Sequence, residues 1–209
     1  MKPGTAESDQ IGTTRPIRRR QEDRSAAMRL QLMEATITCL IEGGYARTTT
    51  VEICRQAGVT RGALLHHFRS LGDLFAATLS HIYERLLASS TIGQETGEGL
   101  ISRLWEHFSQ PEYKAVVELW LAARNEPELG ASLQPAILRI RDIADPRLNP
   151  RLSKALGASD DAVSFYRLVL EAMIGMALGR AVTPGGGEMG HEKRVVDLLQ
   201  RLSIEMLAK

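Results

Sequence analysis

Apolar residues recur three and four positions apart along most of the chain, which is the spacing of an amphipathic helix. Runs of β-branched and aromatic residues, which are typical of strands, are scarce. The sequence therefore predicts an all-α protein. The predicted helices span about 24–42, 49–57, 61–67, 70–89, 98–109, 111–125, 128–145, 159–182 and 191–207. Pro135 is expected to interrupt or restart the seventh helix, and the segment 146–157 has no clear pattern.

Two short helices separated by a tight turn form the most distinctive pattern. Thr49 with Glu52 three positions later is a capping box, so a helix is expected to begin there. Gly58 suits the left-handed residue that ends a helix, and Thr60 can cap the next one. Neither helix is long enough to be stable alone, so both need the preceding helix behind them. This arrangement is a helix-turn-helix.

The outward side of the second short helix carries small or donor-bearing groups and no acidic residue. Its members are Thr60, Arg61, Gly62, Ala63, His66 and His67. A helix that lies in a major groove needs small residues for close approach and donors for phosphates and bases. The spacing by itself leaves open an ordinary helical hairpin with a solvated face.

The same part of the chain resembles the DNA-binding domain of the TetR (tetracycline-repressor) family. The resemblance covers about 24–76, roughly a quarter of the chain. It is carried by Gly43-Gly44-Tyr45, Thr48-Thr49, Ile53 to Val59, Thr60 to Leu64, and His67-Phe68.

The resemblance implies a role for each matching position. Thr48 or Thr49 would bind phosphate, and residues Thr60 to Ala63 would lie against the bases. His66 and His67 would lie near the groove or its phosphates. The predicted DNA-binding residues are Arg47, Thr48, Thr49, Thr60, Arg61, Gly62, Ala63, Leu65, His66 and His67. Leu65 and Leu71 depart from the family pattern, because a phosphate-holding tyrosine and lysine are common there.

Charge is distributed unevenly although the net charge is only +1. Residues 1–72 carry eleven Lys or Arg and seven Asp or Glu, a net of +4, whereas the remainder carries fifteen and eighteen, a net of −3. The basic end is therefore the end with the helix-turn-helix, as expected if it meets a polyanion. Cys39 and Cys54 occupy apolar helical positions and are expected to be reduced buried thiols of a cytoplasmic protein.

The sequence suggests three regions. Residues 1–21 are expected to be a flexible basic arm, either lying along DNA or forming a solvated tail. Residues 22–72 are expected to be the DNA-binding domain, and residues 73–209 an effector-binding and dimerisation domain. No stretch of about 18 apolar residues is evident, so no membrane span or membrane partner is expected. The polar N-terminus lacks the apolar core of a signal peptide.

The last two predicted helices are apolar on more than one side, so each needs burial on two sides. Gly175 and Gly179, four residues apart, would let another helix approach closely. We therefore expect a homodimer, as in the family, with an interior hairpin of a monomer as the alternative. The predicted interface residues are Val169, Gly175, Gly179, Val195, Leu199 and Leu202. Two recognition helices related by a two-fold axis would read a palindromic operator.

The family resemblance also implies an effector pocket in the body. The candidate lining residues are Trp105, Phe108, Trp120, Arg124, Phe165, Tyr166, Met173 and Met176. They could equally be plain core. Glu118 and Glu171, with Arg124, could orient a polar group or form surface ion pairs. The implied effector is a small, mostly apolar molecule.

An enzyme is not expected, because the sequence has no phosphate-cradling glycine loop, no nucleophile elbow and no metal-spaced His/Cys cluster. His66 and His67 point about 100° apart on a helix and cannot easily share a metal. Neither a cofactor nor a metal is predicted. The expected function is a ligand-responsive, dimeric transcriptional repressor. The alternative is an architectural or regulatory DNA-binding protein without an effector.

Overall fold

The computed structural model describes residues 15–89, 99–183 and 187–207. These residues form ten α-helices and one short 3₁₀ helix, Tyr45–Arg47, and contain no strand, which confirms the predicted all-α class. The helices are α1 Arg15–Gly43, α2 Thr50–Ala57, α3 Arg61–His67, α4 Leu71–Ser89, α5 Leu100–Phe108, α6 Glu112–Asn125, α7 Pro127–Ile143, α8 Pro150–Leu156, α9 Asp160–Val182 and α10 Glu192–Leu207.

The start of α1 differs from the expectation. The helix begins at Arg15, whereas the sequence pattern placed its start near Arg24. Residues 15–21 are therefore helical, and the rest of the expected arm, residues 1–14, lies outside the described residues. Pro16 close to the helix start is compatible with this, because the first turn needs no backbone N–H.

Helix α7 was expected to break at Pro135 but continues through it. The proline removes the hydrogen bond to the carbonyl of Ala131, and both residues are exposed, so that carbonyl can be satisfied by water. Helix α8 was not predicted. It is started by Asn149, whose side chain accepts from the Arg151 N–H, and ended by Gly157 at φ +79°.

The local signals of the helix-turn-helix are confirmed. The Thr49 hydroxyl accepts from the Glu52 N–H (3.3 Å), and the Thr60 hydroxyl accepts from the Ala63 N–H (3.2 Å). Gly58 ends α2 at φ +65°. The Glu52 carboxylate bonds to Arg55 instead of completing the capping box. Local contacts thus set both ends of α2 and the start of α3.

Helix α1 joins the helix-turn-helix to the rest of the molecule. It packs against α2 and α3 on one side and against α4 and α6 along its length. The ring of Tyr45 packs on Phe75 of α4, with centroids 5.6 Å apart. The buried apolar residues form one continuous core from Leu32 in α1 to Leu199 in α10. The division at residue 72 therefore stays a prediction.

The body is built from α4 to α10, with α4 on α7, α6 on α7 and α9, and α5 on α9 and α10. Helix α9 is long and apolar enough to qualify as a membrane span by length and composition, which the sequence analysis did not anticipate. Buried helices of globular proteins meet the same criterion. In this protein one side of α9 packs into the body through Tyr166, Val169, Met173 and Met176.

Candidate nucleic-acid interface and body cavity

Helix α3 presents its polar side to solvent and its apolar side to the core. Leu64 and Phe68 are buried, whereas Thr60, Arg61, Gly62, Leu65 and His66 are exposed. Ala63 and His67 are half-buried. Since α3 contains no acidic residue, its exposed surface consists of donors and small groups, as a major-groove helix requires, together with the Leu65 side chain.

Two side chains of α1, which the sequence analysis did not single out, hold the ends of the short helices. The Gln31 amide donates to the carbonyl of Ala57 at the end of α2 (2.7 Å). The Arg29 guanidinium donates to the carbonyl of His67 at the end of α3 (2.6 Å) and lies 4.2 Å from the centroid of the Phe68 ring. Cations and donors at helix C-termini are favourable, so α1 fixes the direction in which α3 projects.

The threonines before α2 have different environments, which corrects one assignment. Thr48 is only 3% exposed and its hydroxyl donates to the carbonyl of Gly44 (2.8 Å), so it is not available to phosphate. Thr49 is exposed, and its hydroxyl accepts a hydrogen bond while its own proton can still be donated. Arg47 is exposed but donates to the carbonyls of Gly43 and Glu42.

His66 and His67 lie edge to face, with ring centroids 5.0 Å apart. Partial burial, together with the neighbouring His66 and Arg29, lowers the pKa of His67. At neutral pH His67 therefore contributes hydrogen bonds rather than positive charge. Across the described part of the chain, no group of three or more His, Cys, Asp or Glu side chains could hold a metal ion.

A cavity of about 720 Å³ lies within the body between α4, α5, α6, α7 and α9. Of the predicted pocket residues, Phe108, Trp120 and Tyr166 line it. Three further wall residues, Tyr83, His107 and Tyr113, were missed by the sequence analysis. Helical periodicity shows that such residues face inward but cannot separate a cavity wall from packed core.

The other predicted pocket residues lie elsewhere. Met173 and Met176 are buried in the core, and Phe165 packs partly buried against it. Arg124 is exposed. The Trp105 ring instead lies under the Arg180 guanidinium, 4.9 Å from the ring centroid. These five residues are therefore corrected from cavity wall to core, surface or contact with another helix.

The polar groups of the cavity include several charged pairs. Arg85 bonds to Glu112 (3.3 Å), and Arg167 lies 3.8 Å from Glu171. Burial lowers the pKa of His107 to about 4, and Arg85 adds to this while Glu112 opposes it. His107 is thus uncharged at neutral pH.

Helix α6 has a second set of contacts, directed at the DNA-binding end. The Lys114 ammonium donates to the carbonyl of Ile41 in α1 (2.7 Å), and the Glu118 carboxylate accepts from the Tyr45 N–H (2.8 Å). The Tyr45 hydroxyl donates to Glu126 (2.5 Å). Gly44 has φ +71°, and an added Cβ would lie 3.1 Å from Glu118, so a glycine fits this junction best.

The predicted interface residues on α9 and α10 divide into buried and accessible sets. Val169 and Leu199 are core residues, and Val195 and Leu202 are half-buried. A Cβ at Gly179 would collide with Met189 of the same chain. Only Gly175 lies exposed with open space before it.

The exposed apolar face that the structure does show includes Gly175 but none of the other predicted interface residues. On α9 it comprises Leu168 (55% exposed), Leu178 and Val182 (73% exposed), with Gly175 between them. On α10, Leu198 and Ile204 are also exposed apolar residues, and they lie about 120° apart around the helix. The sequence pattern showed that both helices have two apolar sides but could not say which side the body covers.

Helix α3 is short, capped and free of acidic residues, and it presents its polar side to solvent. It packs with α1 and α2, and these three helices are attached to a helical body that contains a cavity. This arrangement is that of a helix-turn-helix DNA-binding regulator. Residues 32–78 match the family described as bacterial regulatory proteins, tetR family. The chain belongs to the TetR family of transcriptional regulators.

Relatives along most of the chain have the same character. The HTH-type transcriptional regulator CymR of Pseudomonas putida is 28% identical over 171 residues, which are 78% of this chain and 84% of that protein. The HTH-type transcriptional repressor Rv1474c of Mycobacterium tuberculosis is 27% identical over 162 residues, 73% and 83% of the two chains. A transcriptional regulator from Rhodococcus sp. Rha1 shares the fold, with a TM-score of 0.65, 20% identity, and coverage of 85% and 96%.

Proposed function

We propose that the protein is a homodimeric transcriptional repressor that leaves a palindromic operator when a small, mostly apolar effector fills the body cavity. Residues 22–72 would read DNA, and residues 73–209 would bind the effector and the second subunit. The relative from Mycobacterium tuberculosis is named a repressor. Two free, buried cysteines and a DNA partner favour the cytoplasm.

The exposed apolar face of α9 and α10 supports the dimer. Leu168, Gly175, Leu178 and Val182 follow one side of α9 at intervals of seven, three and four residues, so they form one stripe along the helix. Glu171, which is exposed and lies between Leu168 and Gly175, is the charged residue within this stripe. A group of exposed apolar residues of this kind is typical of an interface rather than of a solvated surface. Two copies of α3 related by the two-fold axis would then enter successive major grooves.

One observation carries the proposed release mechanism: a single helix, α6, lines the cavity and also bonds to the DNA-binding end. Tyr113 and Trp120 line the cavity, while Lys114 and Glu118 on the same helix hold α1 and the segment before α2. A ligand that shifts α6 therefore acts directly on the position of the helix-turn-helix.

Arg85 of α4 provides a second connection between the two sites. It bonds to Glu34 of α1 (3.1 Å) and to Glu112 at the cavity (3.3 Å), so it bridges the DNA-binding end and the effector site. Linkage requires that the effector bind the released arrangement more tightly than the DNA-bound one. Contacts shared between the two sites are the physical means by which such a difference can arise.

The alternative function, a DNA-binding protein without an effector, is less well supported. A cavity of about 720 Å³ is within the range of roughly 300–1,000 Å³ that holds drug-sized ligands. A purely architectural protein has no use for such a cavity, because filling it with side chains would increase stability.

The proposal is tested by selecting bound sequences from a random DNA pool and then measuring release. A palindromic consensus is expected, with one protein dimer per site in sedimentation analysis. A panel of small apolar compounds is then added to the complex, and operator release is followed by fluorescence anisotropy. A consensus without two-fold symmetry would rule out paired reading. Release by no member of a broad panel would favour the alternative function.

A further inference from the structure

One wall of the cavity is aromatic. Phe108 and Tyr113 have ring centroids 4.8 Å apart, and the Tyr113 and Trp120 rings lie 6.2 Å apart and nearly perpendicular. Branched aliphatic side chains from α7 and α9, including Ile140 and Ile174, also line the cavity. A flat aromatic molecule can stack against the faces or edges of such rings while its other side contacts aliphatic groups.

Two polar atoms in this wall are buried donors that a ligand can engage. The Trp120 indole nitrogen is shielded from solvent and has no hydrogen-bond partner among the described residues, and the Tyr113 hydroxyl lies beside the Tyr83 hydroxyl without a hydrogen bond of acceptable geometry. Burial, and then the neighbouring Tyr83 hydroxyl, raise the pKa of Tyr113, so it stays protonated and able to donate. An indole N–H can only donate. Both groups can therefore be satisfied by a ligand that supplies an acceptor.

The charges that line the cavity balance, with four arginines and four carboxylates, and this favours an uncharged ligand; they are Arg85, Arg103, Arg141, Arg167, Glu106, Glu112, Asp145 and Glu171. Arg85 is paired with Glu112, and Arg167 lies beside Glu171, so an ionic ligand would have to compete with existing partners. His107 is uncharged at neutral pH because burial lowers its pKa to about 4. An anion therefore finds no additional positive charge at that position.

We propose that the cavity binds an uncharged aromatic molecule whose single hydrogen-bond acceptor, such as a ketone oxygen, takes hydrogen bonds from Trp120 and Tyr113. The aromatic wall holds the ring system, and the Trp120 N–H, together with the Tyr113 hydroxyl once it turns from Tyr83, selects for the acceptor. This inference rests on the proposed function, in which the cavity is the effector site.

Three probes on one scaffold separate the contributions. Benzophenone carries the acceptor, 1,1-diphenylethylene replaces its oxygen with CH₂ at nearly the same shape, and 4-benzoylbenzoate adds a negative charge. Calorimetric titration of the full chain should show benzophenone binding about tenfold tighter than 1,1-diphenylethylene, the effect of one hydrogen bond that would otherwise be missing. The carboxylate should bind at least about tenfold more weakly than benzophenone.

Equal affinity for benzophenone and 1,1-diphenylethylene would overturn the role of the two donors. Tightest binding of 4-benzoylbenzoate would overturn the preference for an uncharged ligand. If none of the three binds, the assigned ligand class is wrong.

Conservative variants locate the hydrogen bond. Trp120→Phe and Tyr113→Phe keep an aromatic ring and remove a donor, so each should bring the ratio between the two neutral probes to within about threefold. Trp105→Phe makes the same exchange at a tryptophan outside the cavity and should leave the ratio unchanged. A ratio that survives both donor variants, or is lost in Trp105→Phe, would refute the assignment. Thermal unfolding shows whether each variant is folded. If a variant is not, the comparison of benzophenone with 1,1-diphenylethylene on the unmodified protein still decides whether the acceptor matters.

Operator release is measured in parallel by anisotropy of labelled DNA. Probes that bind in the expected order without releasing DNA would confirm the ligand class and refute the effector role. If compounds outside this class release the DNA and benzophenone does not bind, the effector role is confirmed and the ligand class is refuted.

Discussion

At the scale of single residues, Arg61 is the side chain on which direct reading of bases depends most. It begins α3 on the exposed side, directly after the capping Thr60. An arginine at the start of a recognition helix can donate two hydrogen bonds to a guanine, which no neighbouring side chain of α3 can do. Gly62 and Ala63 follow it and allow close approach to the groove.

Replacing Arg61 with alanine should lower affinity for the selected operator by about 1–3 kcal/mol and relax base preference at one position in each half-site. Arg55→Ala is the matched control, because Arg55 is also exposed but is engaged with Glu52 on α2. Its effect should be small and independent of sequence. Anisotropy titrations on the operator and on single-base variants would measure both. An unchanged affinity in the Arg61 variant would refute the assignment of α3 as the reading helix.

At the scale of elements, the junction between α9 and α10 depends on a buried ion pair. Glu192, which begins α10, accepts from the Met189 N–H (2.8 Å) and from Arg180 (3.0 Å) and is almost completely buried. Burial by itself would raise the pKa of Glu192, but the hydrogen bonds from the Met189 and Glu192 backbone and from Arg180 outweigh it and lower the pKa to about 2. Arg180 in turn covers the Trp105 ring of α5.

Because the folded pKa lies below the unfolded value, this carboxylate stabilises the fold above about pH 4.5 and loses its contribution as pH falls towards 2. Glu192→Gln should therefore reduce stability at pH 7 by about 2 kcal/mol, with the difference disappearing near pH 2. Glu188→Gln is the control, since Glu188 contacts the same arginine but is exposed. Urea unfolding between pH 2 and 7 measures both. A difference that does not depend on pH would contradict the ionic role of Glu192.

Helix α6 is the element that would transmit the effector signal. Glu118→Ala removes the acceptor of the Tyr45 N–H without touching the cavity wall. We expect the variant to bind the ligand as the unmodified protein does. Adding the effector should, however, lower its operator affinity much less than it lowers that of the unmodified protein. Ser132→Ala on α7, whose hydroxyl bonds only within its own helix, is the control. Full release in the Glu118 variant would show that the signal travels by another route, such as Arg85.

At the scale of the whole molecule, the proposed dimer decides whether two copies of α3 can act on one operator. The exposed stripe on α9 is the surface available for it. A single recognition helix offers too few contacts for useful operator affinity, whereas two share the entropic loss of binding. Dimerisation and DNA affinity should therefore change together.

Leu178→Glu places a charge in the stripe and should convert dimers to monomers, because an unpaired charge in an apolar interface is strongly unfavourable. Leu148→Glu, at another exposed leucine outside α9, should leave the dimer intact. Sedimentation velocity reports the species, and operator binding should fall by at least about tenfold in the Leu178 variant alone. A Leu178 variant that remains dimeric would place the interface elsewhere.

The sequence by itself determined the elements whose ends are set by neighbours three or four residues away. Thr49, Thr60, Ser70 and Ser159 each cap a helix through the N–H three positions later, so these boundaries could be predicted from local pattern. The exposed side of α3 followed as well, because a helix with few apolar residues can bury only one side.

Only the tertiary structure decided which apolar residues enclose the cavity, which side of α9 is covered, and how α3 is held. Those outcomes depend on contacts between residues far apart in the chain. Gln31 and Ala57 are 26 positions apart, and Lys114 and Ile41 are 73 apart. Met173 and Trp120 look alike in a helical pattern, but one is packed and the other lines a cavity. Periodicity records that a side chain faces inward, whereas the helices packed opposite it determine what it meets.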